Sequence, residues 1–225
     1  VESGVAIDNI ALSQSLAAEN SPYYLFGARL DYMANDKWNL GLVLCNGWQQ
    51  IELLNGSAAP AFGSYISFTP NNHWQVYWAT YNGNITGYNA SDQGFFNNFF
   101  IQFQKKKIHV VAGFAYGIIF RENVDDNQWT VTSFLLGYDV SNKVSIGVRA
   151  EYLLENKNNI TASPLPYLTE TGIFGSSINV DFDINETLKF RIENRLFNAN
   201  YGYFPKDGSL ARNNNNITAS ISARF

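Results

Sequence analysis

Apolar and polar residues alternate with a period of two along most of this chain. The last ten residues are the clearest case. Ile217, Ala219, Ile221, Ala223 and Phe225 share one parity, and Asn216, Thr218, Ser220, Ser222 and Arg224 share the other. Successive side chains of a β-strand point to opposite faces, so the pattern predicts a strand with one apolar and one polar face. The same reading predicts strands at Tyr23–Met33, Trp38–Trp48, Ala61–Phe68, Trp74–Tyr81, Phe95–Phe103 and Ile108–Phe120. It continues with Trp129–Tyr138, Val144–Leu154, Thr171–Phe182, Leu188–Phe197 and Asn216–Phe225. Most run to about ten residues, enough to cross an apolar band about 25 Å tall at a barrel-like tilt. Strands of soluble sheets average about five or six. Val1–Pro22 is irregular, with a short helical turn expected around Leu12–Ala18.

The connections alternate as well. Ala34–Lys37, Thr69–His73, Gln104–Lys107, Asp139–Lys143 and Asp183–Thr187 are tight turns rich in Asn, Asp, Pro and Lys. Gln49–Pro60, Asn82–Gly94, Arg121–Gln128, Glu155–Glu170 and Asn198–Asn215 are the longer links between them. Short and long links in strict alternation belong to an antiparallel up-and-down transmembrane β-barrel, with short periplasmic turns and longer extracellular loops. Counted back from Phe225, this places Tyr23 and the lead-in 1–22 on the extracellular side. Single-chain bacterial barrels have even strand numbers. The eleven predicted strands of 23–225 are therefore expected to be the C-terminal part of a longer, single-domain barrel with at least one more strand upstream.

Composition agrees. The chain is 46% hydrophobic and 16% aromatic but only 15% charged, against about 25% charged in an average soluble protein. No apolar run approaches the roughly 18 residues of a membrane helix, so any membrane role falls to strands. A net charge of −4 argues against a nucleic-acid partner, which calls for a basic patch. The single cysteine, Cys45, excludes an internal disulfide framework and is expected to be a small buried filler.

Parity then assigns the charges. In the strands that alternate cleanly, charged residues keep to the parity opposite the apolar one and lie at mid-strand. Arg or Lys at the centre of a lipid face costs about 2–4 kcal/mol, so these residues are expected to point inward. The pore-lining candidates are Arg29, Asp31, Arg149, Glu151, Asp181, Lys189, Arg191, Glu193, Arg195 and Arg224. Unpaired buried ions are costly, so a wet lumen is expected around them. A set of cross-strand ion pairs that plugs or stiffens the barrel is the competing reading. Loops Glu155–Glu170 and Asn198–Asn215 are the candidates to fold in. Trp38, Trp48, Trp74, Trp129, Tyr23, Tyr24, Tyr81 and Tyr138 fall at strand ends and are expected to form interfacial girdles.

Several stretches resemble a known family. Ser21-Pro22-Tyr23-Tyr24, Gly27-Ala28-Arg29-Leu30, Asn35-Asp36-Lys37-Trp38, Asn46-Gly47-Trp48-Gln49 and Glu2-Ser3-Gly4-Val5 are similar to segments of the OmpL-like β-barrel porins of Bacteroidetes-type outer membranes. The strand ending at Phe225 also resembles the C-terminal signature that the barrel-assembly machinery reads. The resemblance implies an integral protein of a Gram-negative outer membrane, with lipid and the assembly machinery as partners. It carries no catalytic motif and implies no cofactor.

The leading expected function is a porin for passive diffusion of small polar solutes. The alternative is a structural barrel that docks other outer-membrane proteins, for which Ser64 and Asn194 on the lipid parity are hints. An enzyme is not expected. A hydrolase needs a nucleophile beside an oriented His, and the two histidines, His73 and His109, have no partner visible in sequence. Asp125-Asp126-Asn127 is too short for a calcium loop and reads as a solvated turn.

Overall fold

The computed structural model describes residues 8–53, 60–85, 92–121, 125–156 and 170–223. Its main sheet pairs each strand with its neighbour in the chain, all antiparallel. The strands are β1 (Gly27–Asn35), β2 (Trp38–Cys45), β3 (Ala61–Asn71), β4 (Trp74–Gly83), β5 (Gln93–Lys105) and β6 (Ile108–Phe120). They continue through β7 (Asn127–Asp139), β8 (Val144–Asn156), β9 (Glu170–Asp183) and β10 (Leu188–Ala199) to β13 (Asn213–Ala223). A small hairpin, β11 (Phe204–Lys206) and β12 (Ser209–Ala211), occupies the link before β13. One short helix, α1 (Leu16–Glu19), precedes the sheet.

Four of the five tight turns are closed by an Asn or Ser side chain; the fifth, at 104–107, turns on Lys106 with φ 54°. Asn35 Oδ1 accepts from the backbone N–H of Lys37 and Trp38 at 2.9 and 3.1 Å. Asn71 Oδ1 accepts from His73 at 2.9 Å, and Asn185 Oδ1 from Leu188 at 2.8 Å. These side chains stand in for backbone acceptors and fix each hairpin's register. The other five links leave from the opposite end of the sheet, here called the loop end. Most boundaries move by one to four residues from their predicted places, and two of the shifts have a visible cause. The first strand starts at Gly27, because Tyr23 N–H and Tyr24 Oη are held instead by Gln49 at 3.0 and 2.7 Å. The last begins at Asn213, where an amide ladder of Asn194, Asn198, Asn213 and Asn215 continues its pairing with β10.

The outer face of the sheet is largely apolar. Leu42, Phe62, Trp78, Phe99, Phe114, Phe134, Phe174 and Ile178 all stand exposed on the outer face. An apolar surface this continuous requires an apolar solvent. Trp38, Trp74 and Tyr138 are exposed at the tight-turn end and Tyr23 and Tyr24 at the loop end, as girdle residues should be. Trp48, Tyr81 and Trp129 are not girdle residues: they are 8%, 2% and 3% exposed and point inward. Trp129 lies across Gly117 of β6, where a Cβ would come within 2.0 Å of its ring. It joins Trp48, Tyr81, Phe96, Val131, Leu153 and Ile173 in an apolar layer on the inner face at the loop end. Cys45 is buried in the same layer.

β1 and β13 are the two ends of the strand order. β1 is exposed along its whole length. Among the described residues no strand pairs with their outer edges.

Candidate functional site

The inner face of β8, β9 and β10 brings four cations against four carboxylates. Arg149 Nη2 donates to Glu193 Oε1 at 2.8 Å, and its Nε lies 3.5 Å from Glu151 Oε1. Arg195 Nη2 reaches the same Glu151 oxygen at 2.6 Å. Arg191 Nε donates to Asp181 Oδ1 at 2.9 Å, while Lys189 Nζ sits between Asp181 and Asp183 at 4.0 and 3.6 Å. The register makes this possible: Arg191 is paired with Asp181 across the β9–β10 ladder, and Glu193 with Asn179. The central members are almost wholly shielded from solvent, Arg191 at 0% and Arg149, Glu151, Asp181 and Glu193 at 5% or less.

What shields them is the lead-in segment. Residues 8–20 run along the inner wall from the tight-turn end to the loop end as a strap, clamped by the charges beneath. Arg191 Nη2 donates to Asn9 O at 2.7 Å and Arg149 Nη1 to Ser13 O at 2.8 Å. Arg149 and Arg195 both reach Ser13 Oγ, at 2.8 and 3.3 Å. In the other direction, Ser13 N–H donates to Glu193 Oε2 at 2.6 Å and Leu16 N–H to Glu151 Oε2 at 2.7 Å. The carboxylate of Glu151 thus takes one of the free N–H groups that every helix start leaves unsatisfied, a favourable place for an anion. Ser15 caps the same turn, its Oγ accepting from Ala18 N–H at 3.1 Å. Gly147 is where the strap comes closest: a Cβ there would lie 2.5 Å from Ile10 O.

Seven predicted lining residues therefore converge on one network: Arg149, Glu151, Asp181, Lys189, Arg191, Glu193 and Arg195. Arg29 and Asp31 form a separate pair on β1, 2.8 Å apart, with the guanidinium 4.8 Å over the Tyr65 ring and Tyr65 Oη bonded to both side chains. Arg224 and the assembly-signal residue Phe225 lie outside the described residues, as does most of loop Glu155–Glu170. In β8–β10 these charges are buried against the strap's backbone and against one another. Among the described residues, 8–20 of the lead-in lie along the inner face. Its only sequence signal is the run of small residues around the predicted turn, Ala11, Ser13, Ser15, Ala17 and Ala18.

The two histidines do have partners. His109 Nε2 lies 3.2 Å from Asp139 Oδ2 across β6 and β7, and His73 Nδ1 lies 3.1 Å from Gln104 O. Asp126 closes its own loop, accepting from Arg121 N–H at 3.2 Å.

A family model described as "Putative beta-barrel porin-2, OmpL-like" matches residues 1–225. The chain belongs to this family. It is an outer-membrane β-barrel of porin type. Among solved structures, the anion-selective porin from Comamonas acidovorans superposes with a TM-score of 0.64 at 8% identity, over 88% of this chain and 58% of that one. The outer-membrane channel DcaP of Acinetobacter baumannii gives 0.62 at 11% identity, over 87% and 61%. OmpT, an outer-membrane protein of Vibrio cholerae, gives 0.60 at 13%, over 86% and 62%. The likeness to these three is one of fold, and the chain spans 58–62% of their lengths. A search of curated proteins gives no match. Two of these fold neighbours are described as a channel and a porin.

Proposed function

We propose that this OmpL-like barrel is a porin that passes small polar solutes by passive diffusion, its bore narrowed by residues 8–20. The observation that carries the reading is the clamp. An inner wall that spends four buried charges on fixing one strap is built to hold a defined aperture. In this reading Arg29, Asp31 and Arg224 face the bore directly, and the β8–β10 network lines it from beneath the strap. The tight turns face the periplasm. Strands beyond these eleven, running from the open edges of β1 and β13, complete the wall, so that 23–225 is part of a longer barrel. Lipid surrounds it, and the assembly machinery reads Phe225 during insertion.

The scaffold reading keeps one observation of its own. Ser64, Thr80, Asn97, Tyr116 and Thr130 are consecutive cross-strand partners on the outer face of β3–β7. A polar row is unusual where lipid is the neighbour, although Ser64 and Thr80 bond each other at 2.8 Å and Trp78 Nε1 donates to Asn97 at 3.2 Å. One preparation decides between the two readings. Protein extracted in mild detergent is weighed and then inserted into planar bilayers. Stepwise conductance is expected of a porin. A silent barrel that comes out with a large partner would put the scaffold in its place.

A further inference from the structure

The inner wall is electrically lopsided. The charges of β8–β10 are paired and covered by the strap. Across β2–β5 the inner face carries no Asp, Glu, Lys, Arg or His among the described residues. In their place stand amides and aromatic rings. Tyr65 stacks on Tyr77 (centroids 5.6 Å apart), and Tyr77 on Phe100 (5.0 Å). Asn39, Gln75 and Asn98 lie beside this ladder, and Gln75 Nε2 donates to Ser67 Oγ at 3.2 Å. Even the pair at the open edge, Arg29 and Asp31, is mutually neutralised.

A cleft of about 350 Å³ separates α1 from this uncharged wall. The strap and the residue after it contribute only small side chains to it, Ala17, Ala18 and Ser21; the wall contributes Gln75, Tyr77, Asn98 and Phe100. The volume falls at the small end of the roughly 300–1,000 Å³ range of ligand pockets. The oxygen Oδ1 of Asn98, and that of Asn39 on β2, are shielded from solvent and have no hydrogen-bond partner among the described residues. Two buried acceptors without donors are costly as they stand. Of the two, Asn98 lines the cleft, where a solute hydroxyl or amide N–H could supply the missing donor.

From this we infer that the passage runs between α1 and the inner face of β2–β5, and that it favours uncharged, hydroxyl- or amide-bearing solutes of small-sugar size over ions. The inference deepens the porin reading and rests on it. An ion entering the cleft leaves its hydration behind and meets no charged side chain in the lining. A neutral solute gives up hydrogen bonds to water and regains them from amide oxygens.

The test uses the full-length native protein reconstituted into liposomes and planar bilayers. Glucose, gluconate and glucosamine have similar size and differ in charge. Glucose is expected to enter on the order of tenfold faster than either, since losing about 1.4 kcal/mol of hydration without compensation is a factor of ten. Asn98→Asp is expected to raise the K⁺ over Cl⁻ permeability ratio and Asn98→Lys to lower it, because each places one fixed charge at the aperture. Opposite shifts from one position cannot come from simple misfolding. Faster entry of gluconate or glucosamine, or ratios that neither variant moves, would overturn the inference and leave the porin standing. Absence of both swelling and conductance removes the porin reading itself, and this inference with it.

Discussion

Glu193 meets the two demands a buried carboxylate makes, a countercharge and full hydrogen bonding. Arg149 supplies the first at 2.8 Å and the backbone N–H of Ser13 contributes to the second at 2.6 Å. Neither partner alone would offset the cost of drying a carboxylate. Tyr23, just before β1, shows the same physics at the surface. Its Oη donates to Glu19 Oε2 at 2.5 Å, and loss of the phenolic proton would set two negative charges side by side. That bond, with lesser contributions from burial and the Glu19 charge, pushes its pKa up to about 12. A raised folded-state pKa means that the stabilisation is complete below the ordinary tyrosine value near 10 and is lost as pH climbs through about 12. Tyr23→Phe should therefore remove a tyrosinate absorbance step near pH 12. A lost step near 10 instead would mean that the bond to Glu19 does not form.

At the scale of the element, the strap is ordered by what it touches. α1 is a single turn of four residues, far below the roughly 12–15 that hold a helix alone. Its Ser15 cap adds about 1 kcal/mol. The remaining order comes from the arginine and glutamate clamps on β8 and β10. Glu193→Ala would leave Arg149 without its closest countercharge and Ser13 N–H without its acceptor. Breaking a buried pair in this way costs about 3–5 kcal/mol. Amide exchange at Ser13 and Leu16 is the readout. Both should be as protected as the strands in the parent protein and exchange much faster in the variant, with β2–β5 unchanged. Unaltered exchange at Ser13 would show that the strap is held by other contacts.

For the whole molecule, orientation follows from the links. The Asp207–Gly208 tip of the β11–β12 hairpin belongs to the loop end, and Ser141–Asn142 to a tight turn. An epitope inserted at 207–208 should be labelled by antibody on intact cells. One inserted at 141–142 should be labelled only after the outer membrane is opened. The reverse pattern would invert the barrel. The sheet's stability is similarly collective: neighbouring strands are tied by ladders of up to thirteen residue pairs, Gln93–Lys105 against Ile108–Phe120 and Val144–Asn156 against Glu170–Phe182. In lipid, which satisfies no backbone group, those ladders cannot be left open.

The strands, their order and the face of most side chains were legible in the sequence, because alternation and link length are local properties that lipid enforces at every step. Ile108–Phe120 was predicted to the residue. The inward parity of Arg149, Glu151, Asp181, Arg191 and Glu193 was legible for the same reason: a charge on the lipid face is too costly to keep. Trp129 was not. Its strand carries apolar residues on both parities, Val131 and Leu135 as well as Phe134 and Leu136, so only its seat over Gly117 reveals its face. The strap was hidden more deeply. Parity says which way a side chain points, not what covers it. The bond from Ser13 to Glu193 spans 180 residues, a distance over which sequence leaves no local trace. Sequence determined a barrel with a charged inner wall; tertiary structure decided that a segment ahead of β1 lies on that wall, because only folding brings an unsatisfied helix start to a row of buried carboxylates.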